Sequence, residues 1–380
     1  MSSKSAKKPL KTSQIVVLIA MSALFLIALM LAAYIILYEP DSGKRPTDTL
    51  PFETNWDTAD PPETRGEDDP SPEDKSYNFL VVGHDRAASL ADVIMLINYN
   101  VTQQSVAITQ IPRDTYVETE FALNQINVAF SGFYNNAAYA GDKSPALTAL
   151  GKLAALLEKN LCIQIHFYAA MDLDGFVNIV DLLGGVEMNV PTDLDYDDPE
   201  QDLYIHIKAG QQVLDGKQAE GFVRFRDGFL QADIGRGNAQ KMFMAAFLRT
   251  AKSKVNLTNV TSIMTEVLSN LQTNITLSDA VYFAKNILGV DLSRIVMLTI
   301  SGSGYYDGYI LNRKDAIATV NRFYNIYDFA VTDSIFDSGK VFYNEDDPGM
   351  CELYFADNGQ ISFEYIAGDL IDNPIDIPRR

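Results

Sequence analysis

The longest apolar stretch of the chain, Ile15 to Leu37, contains no charged residue. At ~1.5 Å of rise per residue it is long enough for a helix to cross a hydrocarbon core of ~30 Å. It predicts a transmembrane helix over residues 15–38, with residues 1–14 as a short tail. Residues 39–76 change character, with abundant Pro, Asp, Glu, Thr and Ser and few aliphatics. Such a segment cannot bury enough surface to offset the entropy of ordering, so a disordered tether is expected, with a random-coil reach of roughly 35 Å. From Tyr77 onward aliphatic runs alternate with helical patterns, as in an α/β domain with a mixed central sheet. No internal repeat is present. The expected boundaries are a domain over 77–310 and an appended region over 311–380, which contains a helix-like Arg313 to Tyr327 and short strand-like segments.

Asn78 to Val82, Val93 to Ile97 and Val106 to Ile111 read as three strands, the middle one apolar on both faces and therefore central. Their connections suit antiparallel neighbours and are too short for helical crossovers. Asp85 follows the first strand, Asp92 opens the second, and Arg113 and Asp114 follow the third. Chain reversal therefore brings all four to one edge of the sheet, across strands ~4.8 Å apart. Two carboxylates that close can share a Mg²⁺ (or Mn²⁺) that draws its other ligands from phosphates and water. Taken singly, Asp85 and the Pro112–Asp114 pair are ordinary turn chemistry; their convergence is the informative feature.

Charge changes the picture next. The chain has 50 acidic against 30 basic residues, and Lys4, Lys7, Lys8 and Lys11 all precede the apolar run. That bias puts the N-terminus in the cytoplasm and everything after Tyr38 outside. The exterior part is strongly acidic, which argues against DNA or RNA as a partner. An anionic ligand would need a local basic pocket. Cys162 and Cys351 are the only cysteines, and His84, His166 and His206 are scattered, so neither a disulfide scaffold nor a zinc site is expected.

The stretch Gln218 to Gln240, QAEGFVRFRDGFLQADIGRGNAQ, supplies that pocket. Planar guanidinium groups grip phosphate oxygens two at a time. An extended segment would point Arg224 and Arg226 to one side, whereas a helix would separate them. Asp233 can cap a helix starting near Gly235, after which Arg236, Gln240, Phe243 and Phe247 share one stripe. The helix dipole adds to Arg236 in favouring an anion there.

GHDR at Gly83 to Arg86, ADVIML at Ala91 to Leu96, IPRDTYV at Ile111 to Val117, QINVAF at Gln125 to Phe130, DLLGGVEMNVP at Asp181 to Pro191, LDGKQAEGFVRFR at Leu214 to Arg226 and DIGRGNAQ at Asp233 to Gln240 together resemble the LytR-CpsA-Psr family, in its order. The resemblance implies a three-layer fold, with helices on both faces of the mixed sheet and an apolar lipid pocket. It further implies a membrane-anchored, extracellular bacterial phosphotransferase that moves a glycopolymer, such as a teichoic acid, from a polyprenyl diphosphate carrier to a peptidoglycan hydroxyl. Asp85 and Asp92 would hold the divalent ion, and Arg86, Arg113, Arg224, Arg226, Arg236 and Gln240 would surround the pyrophosphate. Asp114 or Asp233 would accept the proton of the attacking hydroxyl, because a carboxylate bound to Mg²⁺ is a poorer base. Phe121, Phe130, Phe133, Tyr134 and Tyr139, with the Leu147 to Leu157 helix, have two readings, plain core as the commoner one and lining of the isoprenoid groove as the other; the Phe176 to Leu183 segment has the same two readings. Three positions depart from the family pattern: Leu90 and Ala239 stand where arginine is common, and Gln125 where lysine is. Their loss leaves a non-catalytic diphosphate-binding scaffold, or a pyrophosphatase that uses water, as competing readings.

Overall fold

In the computed structural model, residues 38–41, 71, 73–85, 90–118, 121, 125–199, 203–225, 232–305, 308–338, 352–353, 355–356 and 364–372 are described. The expected membrane segment, most of the tether, Arg86, Arg226 and Cys351 lie outside them. Among the described residues no helix is long and apolar enough to cross a membrane.

The three strands expected from the sequence form the middle of the sheet. Strands β1 (Ser76–His84), β2 (Ala91–Asn100) and β3 (Ser105–Ile111) pair antiparallel in sequence order. Two later strands, β5 (Phe167–Asp172) and β11 (Ile295–Thr299), join β1 and β3 in parallel. With β10 (Gln272–Thr273) and β16 (Tyr365–Ile366) at the edges, the order is β10-β5-β1-β2-β3-β11-β16. β2 is thus the central strand of a mixed sheet, as its two apolar faces require.

Alternation along β2 divides the body into two layers. Ile94 and Leu96 face a core built with helices α1 (Ile126–Tyr139) and α2 (Pro145–Leu161). Met95 and Ile97 face the opposite layer, with helices α3 (Leu173–Leu182), α4 (Gly216–Arg224) and α5 (Ala232–Lys254). Two antiparallel ribbons, β6 (Val186–Val190) with β9 (Gly210–Leu214) and β7 (Leu194–Asp198) with β8 (Leu203–Ile207), close that second layer through Met188, Val190, Leu194 and Ile205.

Two boundaries differ from the expectation. Leu311, Ala316, Val320, Tyr324 and Phe336 belong to the first core, so the break placed at residue 310 falls inside the packed body. Tyr324 is fully buried, and its hydroxyl bonds the Leu96 carbonyl at 2.8 Å and Thr109 Oγ1 at 2.6 Å, pinning this segment to β2 and β3. Beyond it, β16 occupies the sheet edge.

The tether also has anchored ends. Tyr38 donates to Asp279 Oδ1 at 2.5 Å, the Pro40 carbonyl accepts from Tyr77 at 2.9 Å, and Glu39 pairs with Lys75 at 2.6 Å. Asp279 belongs to helix α7 (Leu277–Ile287), which follows α6 (Val260–Ser269). Residues 38–41 are therefore docked on the domain rather than part of a free linker.

Candidate active site

The second layer does not fill. A cavity of about 760 Å³ lies between the sheet and helices α3 to α5. Its sheet side is formed by Val81, Val93, Met95 and Ile108, and its helix side by Phe176, Ile179, Phe243 and Phe247. Phe176 and Phe243 approach to 5.4 Å between ring centroids. The polar lining gathers at one end, where β1 and β3 finish and β2 begins: Asp85, Asp92, Gln110, Arg224, Gln240 and Lys241. The cavity is apolar over most of its lining, with a charged end.

Strand register builds that end. β2 and β3 pair Ile94 with Ile111, and carried two residues further this sets Asp92 opposite Arg113. Arg113 Nη1 meets Asp92 Oδ1 at 2.5 Å. The turn after β3, with Thr115 N–H on the Pro112 carbonyl at 3.0 Å, holds Arg113 in place. Asp114 lies 3.4 Å from Arg113 Nε, and it supports the guanidinium from outside the cavity lining. Asp85 closes the neck of the β1–β2 loop: its N–H donates to the Leu90 carbonyl, and its Oδ1 accepts from Leu90 N–H, both at 3.1 Å.

Arg224 arrives by a different route from the one expected. The segment Gly216 to Arg224 is helical, not extended, and Arg224 is its last residue. A capping box between Asp215 and Gln218 starts the helix. Gly216 is required at the next position, since a Cβ there would lie 2.4 Å from the Val177 carbonyl of α3. Buried Glu220, one turn before Arg224, accepts from Arg224 Nη1 at 2.9 Å, and the negative end of the helix dipole favours the cation. α5 begins at Ala232, so Asp233 falls within its first turn instead of capping it; the side chains of Asp233 and Arg236 are outside the described residues. The predicted stripe holds further on: Gln240, Phe243 and Phe247 all line the cavity. Gln240 is fixed by Gln110 Nε2, which donates to its Oε1 at 2.9 Å.

The aromatics with two readings in the sequence divide between them. Phe130 and Phe133 are fully buried in the α1–α2 core, on the far face of the sheet, and Phe121 packs against them with its ring over Gly132. None lines the cavity. Tyr139 is exposed at the end of α1, and the α2 aliphatics fill the same core. Phe176 and Ile179, from the Phe176 to Leu183 segment, line the cavity. Lys241 and Glu220 were not singled out; a lone lysine after Gln240 gave no signal, whereas Glu220 stands at the i, i+4 spacing that supports an ion pair with Arg224.

Lys241 is buried and donates to Thr299 Oγ1 at 2.8 Å. Burial pulls its amine down to about 8. In the other core, burial pushes the Cys162 thiol up.

The donor set at the charged end suits a hard divalent cation. Asp85 and Asp92 bring carboxylate oxygens from neighbouring strands into the cavity lining, and each is oriented by a second partner. Mg²⁺ characteristically takes one or two carboxylates and completes its shell with phosphate oxygens and water.

Residues 52–323 match the model of the LytR_cpsA_psr family. This covers well over half of the chain. The chain belongs to that family. Among curated proteins it is similar to a polyisoprenyl-teichoic acid–peptidoglycan teichoic acid transferase, TagV of Bacillus subtilis, with 26% identity over 62% of this chain and 59% of the relative. It is 30% identical to the transferase TagU of Bacillus mycoides, over 54% of this chain and 60% of the relative. The chain thus spans about 60% of the length of these curated relatives. A LytR-Csp2A-Psr enzyme from Actinomyces oris shares the fold, with a TM-score of 0.51, 19% identity, and coverage of 77% of this chain and 96% of that one. The expected family and the mixed-sheet fold are therefore established.

Proposed function

We propose that this member of the family is a membrane-anchored phosphotransferase that moves a glycopolymer from a polyprenyl diphosphate carrier to a hydroxyl of peptidoglycan. The observation that carries the reading is the amphiphilic cavity, apolar along its length and lined at one end by Arg224, Gln240 and two aspartates. Its shape and polarity match an isoprenoid tail joined to a diphosphate. The names of the teichoic acid transferases among its relatives support the same donor and acceptor classes.

In this reading the tail lies along Phe176, Phe243 and Phe247, and the diphosphate meets Arg224 and Gln240. Arg113, held by Asp92 and Asp114, adds positive charge behind the carboxylates; Arg86, Arg226 and Arg236 would complete the set. A sugar hydroxyl oxygen attacks the phosphorus that bears the glycopolymer, the bond from that phosphorus to the polyprenyl phosphate breaks, and Asp114 or Asp233 takes the hydroxyl proton. Phosphoryl transfer needs positioning and charge neutralisation more than covalent assistance. Asp85 and Asp92 would hold Mg²⁺, which would supply further neutralisation of the departing phosphate. Glu220 fixes Arg224 before the substrate arrives, so little reorganisation is needed during transfer.

The apolar run at residues 15–37 would anchor the chain, with the domain outside the cell. Since residues 38–41 dock on α7 and Tyr77, the domain would rest against the outer membrane surface, where lipid-linked donors are found.

The test uses the full chain in detergent, a lipid-linked glycan donor and peptidoglycan oligomers. Arg113→Ala or Arg224→Ala should reduce Mg²⁺-dependent transfer by on the order of 10²–10³-fold, with circular dichroism unchanged. Unchanged turnover would overturn the assignment, and release of polyprenyl phosphate without an acceptor would identify a pyrophosphatase instead.

A further inference from the structure

Lys241 is placed in a way that neither packing nor ion pairing explains. The residue is only 9% exposed, yet it contributes to the cavity lining beside Gln240. A buried ammonium normally pairs with a carboxylate, because an unpaired charge loses its hydration. Among the described residues its hydrogen-bond partner is the neutral Thr299 hydroxyl at 2.8 Å, and the Tyr365 ring lies 5.8 Å away. An ammonium has three donors, and Thr299 takes one.

The surroundings show where the group is directed. Lys241 Nζ and Gln110 Oε1 converge over Gly237, one helical turn earlier: a Cβ built there would lie 3.9 Å and 3.6 Å from them. Gln110 in turn bonds Gln240. The amine, the two amides and the bare backbone of Gly237 therefore form one polar corner of the cavity, floored by β3 and β11 and carried on α5. The corner has an excess of hydrogen-bond donors and a positive charge.

We propose that Lys241 is a substrate-binding residue whose ammonium takes a phosphate oxygen of the lipid diphosphate, inside the cavity and on the β11 side of Gln240. The assignment rests on the phosphotransferase reading and deepens it: the cationic site extends from Arg224 across Gln240 to the α5–β11 corner. The diphosphate supplies a negative partner that the described residues do not. Burial, which lowers the amine to about 8, is offset when that anion arrives.

The experiment compares geranylgeranyl diphosphate with geranylgeraniol by titration calorimetry on the full chain in detergent. Wild type should bind the diphosphate more tightly than the alcohol. Lys241→Met should weaken diphosphate binding by about tenfold or more, as loss of a charged hydrogen bond predicts, and leave the alcohol unchanged; Lys241→Arg should recover part of the loss. Equal diphosphate affinity in wild type and Lys241→Met would overturn the assignment. A wild type that does not prefer the diphosphate to the alcohol would instead overturn the phosphotransferase reading beneath it. If Lys241→Met does not fold, reductive methylation of wild type decides: the diphosphate should protect Lys241, and equal labelling with and without it would count against the proposal.

Discussion

The two faces of the central sheet are lined by the same strands and reach opposite outcomes. On one, Phe130, Phe133, Leu150, Leu153 and Leu157 of α1 and α2 pack against Leu80, Ile94 and Leu96 until no accessible surface remains on most of them. On the other, Phe176, Phe243 and Phe247 stand over Met95 and Ile108 around a cavity of about 760 Å³. Large apolar side chains serve in both layers. The closed face is finished by protein alone, while the open face has room for an apolar ligand. Polarity follows the asymmetry, since the charged residues that line the cavity gather at one end of the open layer.

The comparison can be broken most severely on the closed face. Phe130→Ala should destabilise the domain by about 3–5 kcal/mol, read as a lowered denaturation midpoint, because its neighbours cannot fill the space. A neutral result would mean that Phe130 is not core. The open face carries a different cost, because Lys241 is buried with no carboxylate partner among the described residues. Its folded amine is lowered from 10.5 to about 8, so between about pH 8 and 10.5 the unfolded chain binds more protons than the folded one and stability rises with pH. Relative to Lys241→Met, wild type should gain roughly 3 kcal/mol or less across that window, measured by denaturation at pH 7.5 and 10.5. A constant difference would place the amine in solvent.

Smaller effects should sharpen the contrast. Phe243→Ala removes a ring at the cavity wall, and should weaken binding of geranylgeranyl diphosphate by about tenfold, an order set by the apolar area lost. Its effect on stability should be smaller than that of Phe130→Ala. The smallest change expected is from Glu220→Gln, which keeps the helix but loosens Arg224; transfer should fall by about threefold with little change in lipid affinity.

Much of this was legible in the sequence, for identifiable reasons. Short connections force β1, β2 and β3 into an antiparallel set, and that alone brings Asp92 to Arg113. The stripe Gln240, Phe243 and Phe247 follows from helical spacing. Arg224 and Arg226 alternate with aromatics and so read as extended; the Asp215–Gln218 capping box was the stronger signal for a helix. Which aromatics line the cavity is not legible, because periodicity shows that a face is buried, not whether protein or ligand covers it. Phe130 and Phe243 look alike on that criterion. Residues 38–41 look like the linker that follows them, and their attachment depends on Tyr77 and Asp279, far away in sequence. Lys241 reads as a surface lysine until Thr299 and the cavity are seen beside it.

The central claim is that the lipid lies in the α3–α5 layer, with its diphosphate at the charged end. Photo-crosslinking of the full chain with a diazirine-bearing polyprenyl diphosphate, mapped by mass spectrometry, tests it most directly. Adducts should fall on peptides containing Phe176, Phe243 and Phe247. Adducts confined to the α1 and α2 peptides around Phe130, Phe133 and Leu150 would contradict the account.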